Sequence, residues 1–260
     1  AFELGIVKAG WLKSFIYAVE RFLMNRFDKV STISEAMLDK LNKKGVDSIK
    51  QLFFPNWVDT AFIYPLENPS IYRAELNISL SKAVALYSGN MGEKQGLEIV
   101  IQAAKELENE NVQFIMCGSG SALERLKVLA KDLKNIIWLP LQPLERLNDF
   151  LNVADIHLLP QQAGAADLVM PSKLTGMLAS GRPIIATADV YTQVEKVVQG
   201  CGVVVAPGDN TAFSQSIKTL SEDVELRERL GVKARKYADN NLQYEVIMKK
   251  FEKELLELVR

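Results

Sequence analysis

The stretch Ala83-Val84-Ala85-Leu86-Tyr87-Ser88-Gly89-Asn90-Met91-Gly92-Glu93-Lys94-Gln95-Gly96 decides the fold. Ala83 to Ser88 is an apolar run too short to be a separate helix, and the glycine-rich turn after it opens on Leu97 to Glu108, where apolar residues stand three and four apart. A second short run, Val112 to Cys117, follows and ends in Gly118-Ser119-Gly120-Ser121. Outward from this unit the alternation continues. Further strands are expected at Lys29 to Ile33, Lys50 to Phe54, Ile136 to Leu139, Ile156 to Leu159, Pro183 to Thr187 and Val203 to Val205. Helices are expected at Ala122 to Lys131, Leu144 to Asn152 and Leu174 to Ser180. Short strands alternating with amphipathic helices make a parallel sheet with crossover helices, so the fold class is α/β, a doubly wound parallel sheet.

The alternation breaks at Phe54-Pro55-Asn56-Trp57-Val58-Asp59, with Pro65 and Pro69 beyond. Residues 56–69 read as a linker, residues 70–240 as the main domain and residues 241–260 as a closing helix. Residues 1–55 hold two strand candidates, too little for a doubly wound domain, and read as the tail end of one. From Lys218 to Arg260 the chain is rich in charge without a strand signal, which predicts two or three surface helices. It opens on Ala1-Phe2-Glu3 without Met or a signal-peptide pattern, and is expected to be part of a longer protein.

Composition narrows the function. With 31 basic and 32 acidic residues among 260, and a net charge of -1, nucleic acid is not an expected partner. Cys117 and Cys201 are far apart, each inside an apolar run, and offer neither metal-ligand spacing nor a disulfide framework; a reducing, cytoplasmic address is expected. The single histidine, His157, lies in the apolar run Ile156 to Leu159 and reads as a packed core residue. No stretch approaches the roughly 20 apolar residues of a spanning helix. Leu12 to Leu23 carries apolar groups at helical spacing beside Lys8, Lys13, Arg21, Arg26 and Lys29. Such a helix packs on its own sheet, the plainer reading, or lies on an anionic bilayer.

Ligands of open parallel sheets lie beyond the carboxyl ends of the strands. Three loops there stand out. Ser88 to Gly96 combines glycines, a helix start and Lys94, a phosphate site in outline, although it is no Walker loop and glycines also serve tight turns. Gly118-Ser119-Gly120 begins like a dinucleotide fingerprint, but Leu123 stands where the third glycine belongs; ligand contact and a close turn capped by Ser121 both remain open. The long segment Pro160 to Lys173 ends with Ser172 and Lys173 at a helix start, where a hydroxyl and an ammonium could meet an anion or Ser172 could simply cap.

The order of several motifs carries a resemblance. Val30-Ser31-Thr32-Ile33-Ser34, Pro55-Asn56-Trp57-Val58-Asp59, Tyr87-Ser88-Gly89-Asn90-Met91-Gly92, Cys117-Gly118-Ser119-Gly120, Pro171-Ser172-Lys173-Leu174 with Ala179-Ser180-Gly181-Arg182-Pro183, and Cys201-Gly202 resemble the family-four glycosyltransferases of the GT-B fold. The wordings Gly-Asn-Met-Gly and Met-Pro-Ser-Lys-Leu-Thr are most similar to the colanic acid biosynthesis branch. The resemblance covers nearly the whole chain. It implies two Rossmann-like domains, with the donor domain here and residues 1–55 as a remnant of the acceptor domain.

By that resemblance the substrate is a nucleotide-diphosphate sugar and the acceptor a saccharide hydroxyl, lipid-linked at the inner membrane face, where the protein makes peripheral contact. Transfer retains anomeric configuration, with no cofactor and no metal. Lys94 matches the family's phosphate lysine and Asn90 stands at its arginine. Gly89, Met91 and Gln95 fall on the same loop; Pro171, Ser172, Lys173 and Leu174 fall on the last one. The nucleobase falls to Gly118, Ser119, Gly120, Leu141 and Gln142. The family's two glutamates, eight residues apart, are replaced by Leu168 and Gly176, with Asp167 as a stand-in for the first. Lys94 and Lys173 are the expected catalytic cations, aimed where charge builds on the departing diphosphate. A nucleotide-binding module without turnover is the alternative. An epimerase of the same architecture relies on histidine and several carboxylates, which one His in an apolar run does not supply.

Overall fold

The computed structural model describes residues 10–163 and 170–258, the side chains of residues 10–13 excepted. The chain divides into two compact units, residues 1–55 with 249–260 and residues 56–248.

In the first unit, α1 (Gly10–Met24) leads to β1 (Val30–Thr32), α2 (Glu35–Lys43) and β2 (Gln51–Phe53). The strands pair in parallel, Ser31 opposite Leu52. Helix α2 starts where the sequence supplies a cap, the Ser34 hydroxyl accepting from Met37 N at 3.2 Å. The Phe54 ring stacks on Phe251 at 4.2 Å. The apolar stripe of α1 corrects the plainer expectation: Phe15, Phe22 and Leu23 are all more than half exposed. Two strands of three residues cannot cover a fifteen-residue helix.

The second unit follows the pattern legible in the sequence. Its strands are β3 (Ala83–Ser88), β4 (Val112–Cys117), β5 (Ile136–Leu139), β6 (Ile156–Leu159), β7 (Ile184–Thr187) and β8 (Gly202–Val205). All pair in parallel, in the order β5-β4-β3-β6-β7-β8. The chain therefore builds outward from β3 on one side, then returns to lay β6 on the other. The loops after β3 and β6 diverge around the switch point, where such sheets open a crevice.

Helices α3 (Ile71–Glu75), α4 (Glu98–Glu106), α5 (Leu123–Leu129), α6 (Leu147–Leu151), α7 (Lys173–Ala179), α8 (Gln193–Val198), α9 (Asn210–Glu222) and α10 (Val224–Asn241) complete the unit, and α11 (Tyr244–Leu258) runs on into the first. Strand alternation divides the core between the two faces. Ala85, Tyr87, Phe114 and Met116 pack with α4 and α9, while Val84, Leu86, Ile115 and Cys117 meet Tyr72 and Phe150.

Residues 56–69 lie within this unit and are bound to it. Val58 N donates to Leu242 O at 2.8 Å, and the Asn148 and Asn152 side chains accept from Tyr64 N and Leu66 N. His157 is fully buried and its Nε2 lies 3.0 Å from Ser180 Oγ. Burial, helped by the Arg182 charge, pushes its pKa down to about 3, so the ring stays neutral and encloses no accessible base.

Candidate donor site

Three carboxyl-end loops meet at the switch point. The loop after β6 docks on the loop after β3 through Gln162 N, which donates to Lys94 O at 3.2 Å, and its far end is held by the Asn56 amide donating to Met170 O. The loop after β4 interlocks with the loop after β3: Gly89 N donates to Cys117 O, Met91 N to Ser119 O at 2.7 Å, and Ala122 N to Met91 O.

Glycine makes that interlock possible. A Cβ on Gly118 (φ +140°) would stand 1.9 Å from the Gly89 carbonyl oxygen, and one on Gly120 (φ +155°) 2.4 Å from Met91 O. Both glycines are consumed by close backbone approach. Gly89 differs. Its Cβ (φ +142°) would face Lys173 Cδ and Nζ at 3.4 Å, an ordinary contact distance.

Lys173 is the centre of the arrangement. It opens α7, and its Nζ lies 4.1 Å from the centroid of the Tyr87 ring at the end of β3. The ring's electron-rich face is a favourable but weak partner for an ammonium. No carboxylate pairs with Lys173 among the described residues, and burial lowers its pKa to about 8. Tyr87 is itself locked, its hydroxyl donating to Asn90 O at 2.6 Å and burial raising its pKa well above the phenol range. A desolvated cation of this kind is a waiting partner for an anion. Nearby, the buried Gln95 Oε1 and Gln161 Oε1 have no hydrogen-bond partner among the described residues.

Beyond Gly118, an open cleft of about 520 Å³ is walled by Ser119, Leu123, Lys127, Trp138, Leu139, Pro140 and Leu141. Its rim is braced by Gln142, whose Oε1 accepts from the Tyr72 hydroxyl at 2.9 Å and whose Nε2 donates to Pro140 O at 2.7 Å.

The expected site residues divide accordingly. Lys94, Asn90 and Gln95 share the first loop, Lys94 and Asn90 exposed. Gly89, Lys173, Pro171 and the exposed Ser172 converge on the switch point, while Gly118, Ser119, Gly120 and Leu141 border the cleft. Met91 and Leu174 are corrected to core residues, since both side chains are fully buried and the Met91 amide and carbonyl are already bonded. Gln142 shapes the cleft with both ends of its amide engaged. Ser172 precedes α7 without a side-chain cap bond, and Ala122, not Ser121, precedes α5. Asp167, with Leu168, lies outside the described residues. Sequence reading missed Tyr87, Gln161 and Trp138. The position of Tyr87 two residues before Gly89, at a strand's carboxyl end, was the available signal.

Among the described residues no three His, Cys, Asp or Glu side chains gather as a metal-binding group, and no helix is long and apolar enough to cross a membrane.

The model of the family described as glycosyl transferases group 1 matches residues 70–237. The colanic acid biosynthesis glycosyl transferase WcaI of Escherichia coli is 36% identical over 251 residues, which is 94% of this chain and 61% of that protein. WbjE of Pseudomonas aeruginosa, a glycosyltransferase by its description, is 25% identical over 85% of this chain and 58% of its own length. Among solved structures, sucrose-phosphate synthase from Thermosynechococcus elongatus superposes with a TM-score of 0.80 at 18% identity, over 97% of this chain and 64% of that one. HepE from Anabaena, solved with UDP and glucose, gives 0.78 at 17% identity over 92% and 66%. The fold is that of the GT-B enzymes. The match spans about three fifths of the length of these two curated relatives.

Proposed function

The chain belongs to the group 1 glycosyl transferases, and from that membership we propose that it carries the donor side of a retaining, metal-independent glycosyltransferase. In this reading a sugar passes from a nucleoside diphosphate to a hydroxyl of a lipid-linked saccharide during surface-polysaccharide synthesis, at the cytoplasmic face of the membrane. The observation that carries it is the Lys173 ammonium, without a carboxylate partner among the described residues, held on Tyr87 beside Gly89 at the switch point.

The chemical demand is on the leaving group. As the bond to the sugar breaks, negative charge builds on the β-phosphate oxygens, and cations fixed in advance stabilise that charge without reorganising. Lys173 stands ready from the last loop and Lys94 swings in from the first. The close approach allowed at Gly89 lets the diphosphate lie against the backbone, and the cleft beyond Gly118 takes the nucleoside. Gln95 and Gln161 offer carbonyl oxygens to donor hydroxyls. Exposed Phe15, Phe22 and Leu23 beside Arg21 and Arg26 support peripheral contact with an anionic bilayer, the place of a lipid-linked acceptor.

Calorimetric titration of the chain with UDP, GDP, ADP and dTDP, without metal and then with Mg²⁺, tests the donor site. One diphosphate is expected to bind without metal, and Lys173→Ala to remove most of its affinity. Absence of binding to all four, with the chain folded, would refute the assignment. Sugar transfer itself is to be measured on the protein together with the acceptor-side portion that its relatives carry.

A further inference from the structure

At the amino end of the sheet, opposite the donor loops, a pocket of about 540 Å³ opens between Asp155, which precedes β6, the turn Gly181-Arg182-Pro183, which precedes β7, and α10. Glycine again brings the parts together. A Cβ on Gly231 of α10 would stand 2.2 Å from Gly181 O, so the helix lies directly on the turn. That approach sets Arg227 and Arg235 beside Arg182 along the pocket wall.

Only some of these guanidinium groups are neutralised. Arg73 pairs with Asp155 at 2.5 Å. Arg235 pairs with Asp239 and gives its remaining bonds to the carbonyls of Thr60, Ile63 and Ala179. Arg227 donates from Nη1 to Leu220 O and Ser221 O, with no carboxylate on its other nitrogens among the described residues. Among the described residues Arg182 is poorest of all: its Nε is buried without an acceptor, and its Nη2 reaches only Asn152 Oδ1 at a long 3.4 Å. Burial lowers the Arg182 pKa, Asp155 opposing that effect and Arg73 and Arg227 adding to it. Two arginines short of anions in one pocket call for an external one.

We infer that this pocket is a second anion site, separate from the donor site, which binds a phosphate monoester through Arg182 and Arg227 with its organic body against Pro65, Pro183, Val224 and Val232. The guanidinium fork matches two phosphate oxygens at once. The apolar walls and a volume well beyond a bare phosphate favour an ester over the free ion. The exposed Glu228 at the wall opposes the anion and tunes its affinity. The inference does not depend on the proposed transfer reaction.

The test is site-resolved: arginine Nε–Hε signals of the folded chain, titrated with glycerol 3-phosphate, inorganic phosphate, or chloride at matched ionic strength. Glycerol 3-phosphate should move the Arg182 and Arg227 signals saturably, and chloride should not. Arg227→Gln should weaken binding about tenfold, and Glu228→Gln should strengthen it. UDP should leave these signals in place while it reports on the donor loops. No saturable shift, an equal shift with chloride or UDP, or unchanged affinity in Arg227→Gln would overturn the site. Equal affinity for inorganic phosphate would overturn the ester and assign the pocket to the free ion.

Discussion

The loops after β3 and β4 look alike in sequence, Gly-Asn-Met-Gly in one and Gly-Ser-Gly in the other, yet their glycines answer to different neighbours. Gly118 and Gly120 lie against the carbonyls of Gly89 and Met91, where a methyl group has no space. Gly89 faces the end of the Lys173 side chain at ordinary contact distance, so a methyl group there meets a movable side chain and not backbone. A glycine-rich loop in an open sheet is thus two kinds of object. One docks backbone on backbone; the other faces a movable side chain.

Gly118→Ala is the substitution most able to break this contrast. The new Cβ would have to displace a main-chain carbonyl from a positive-φ position, and a loss of about 3–5 kcal/mol in stability is expected by denaturant unfolding. A loss below about 1 kcal/mol would show that the interlock yields easily. Next in size, Lys94→Ala and Lys173→Ala in the complete protein should each slow sugar transfer by about 10²–10³, with the melting temperature nearly unchanged in the exposed Lys94→Ala. Unchanged turnover in both would detach the cations from the leaving group.

Gly89→Ala sharpens the contrast from the other side. The methyl meets only a movable lysine, so the cost is backbone strain of about 1–3 kcal/mol, and diphosphate affinity should drop more than stability. The smallest effect concerns pH. Lys173 in the free chain has a pKa of about 8, below its unfolded value, so its charge is complete below pH 8 and is lost as pH rises through that value. Diphosphate affinity should therefore fall up to about tenfold between roughly pH 7 and 9 in wild type and stay flat in Lys173→Met. The same shift predicts a contribution to stability that rises with pH from about 8 towards roughly 10.4, because the unfolded chain holds the extra proton there. A flat profile in wild type would place Lys173 in water.

Much of the second unit was legible because short β-branched and apolar runs bounded by glycine and proline leave little choice. Four of the six strands of the large sheet have the limits expected from the sequence, as Val112–Cys117 illustrates. The loops after those strands were legible for the same reason. Less could be read where a residue's role depends on what folds against it. Met91 and Leu174 sit inside the right motifs and point into the core, while Tyr87 reads as core and carries the ammonium of a residue 86 positions away. The stripe on α1 shows the converse, since periodicity marks an apolar face but not what covers it.

What the sequence determined by itself is local or periodic: the strand and helix alternation, the carboxyl-end loops, the absence of excess charge, and the motif order that resembles the glycosyltransferases. Only tertiary structure decided that two of the glycine positions are filled by carbonyls, that Lys173 lies desolvated on an aromatic ring, and that four arginines gather at the far end of the sheet, two of them paired to acids among the described residues. Each of these depends on distances between segments remote in the chain, and the free energy of a buried charge or a clash is set by those distances rather than by the residue type.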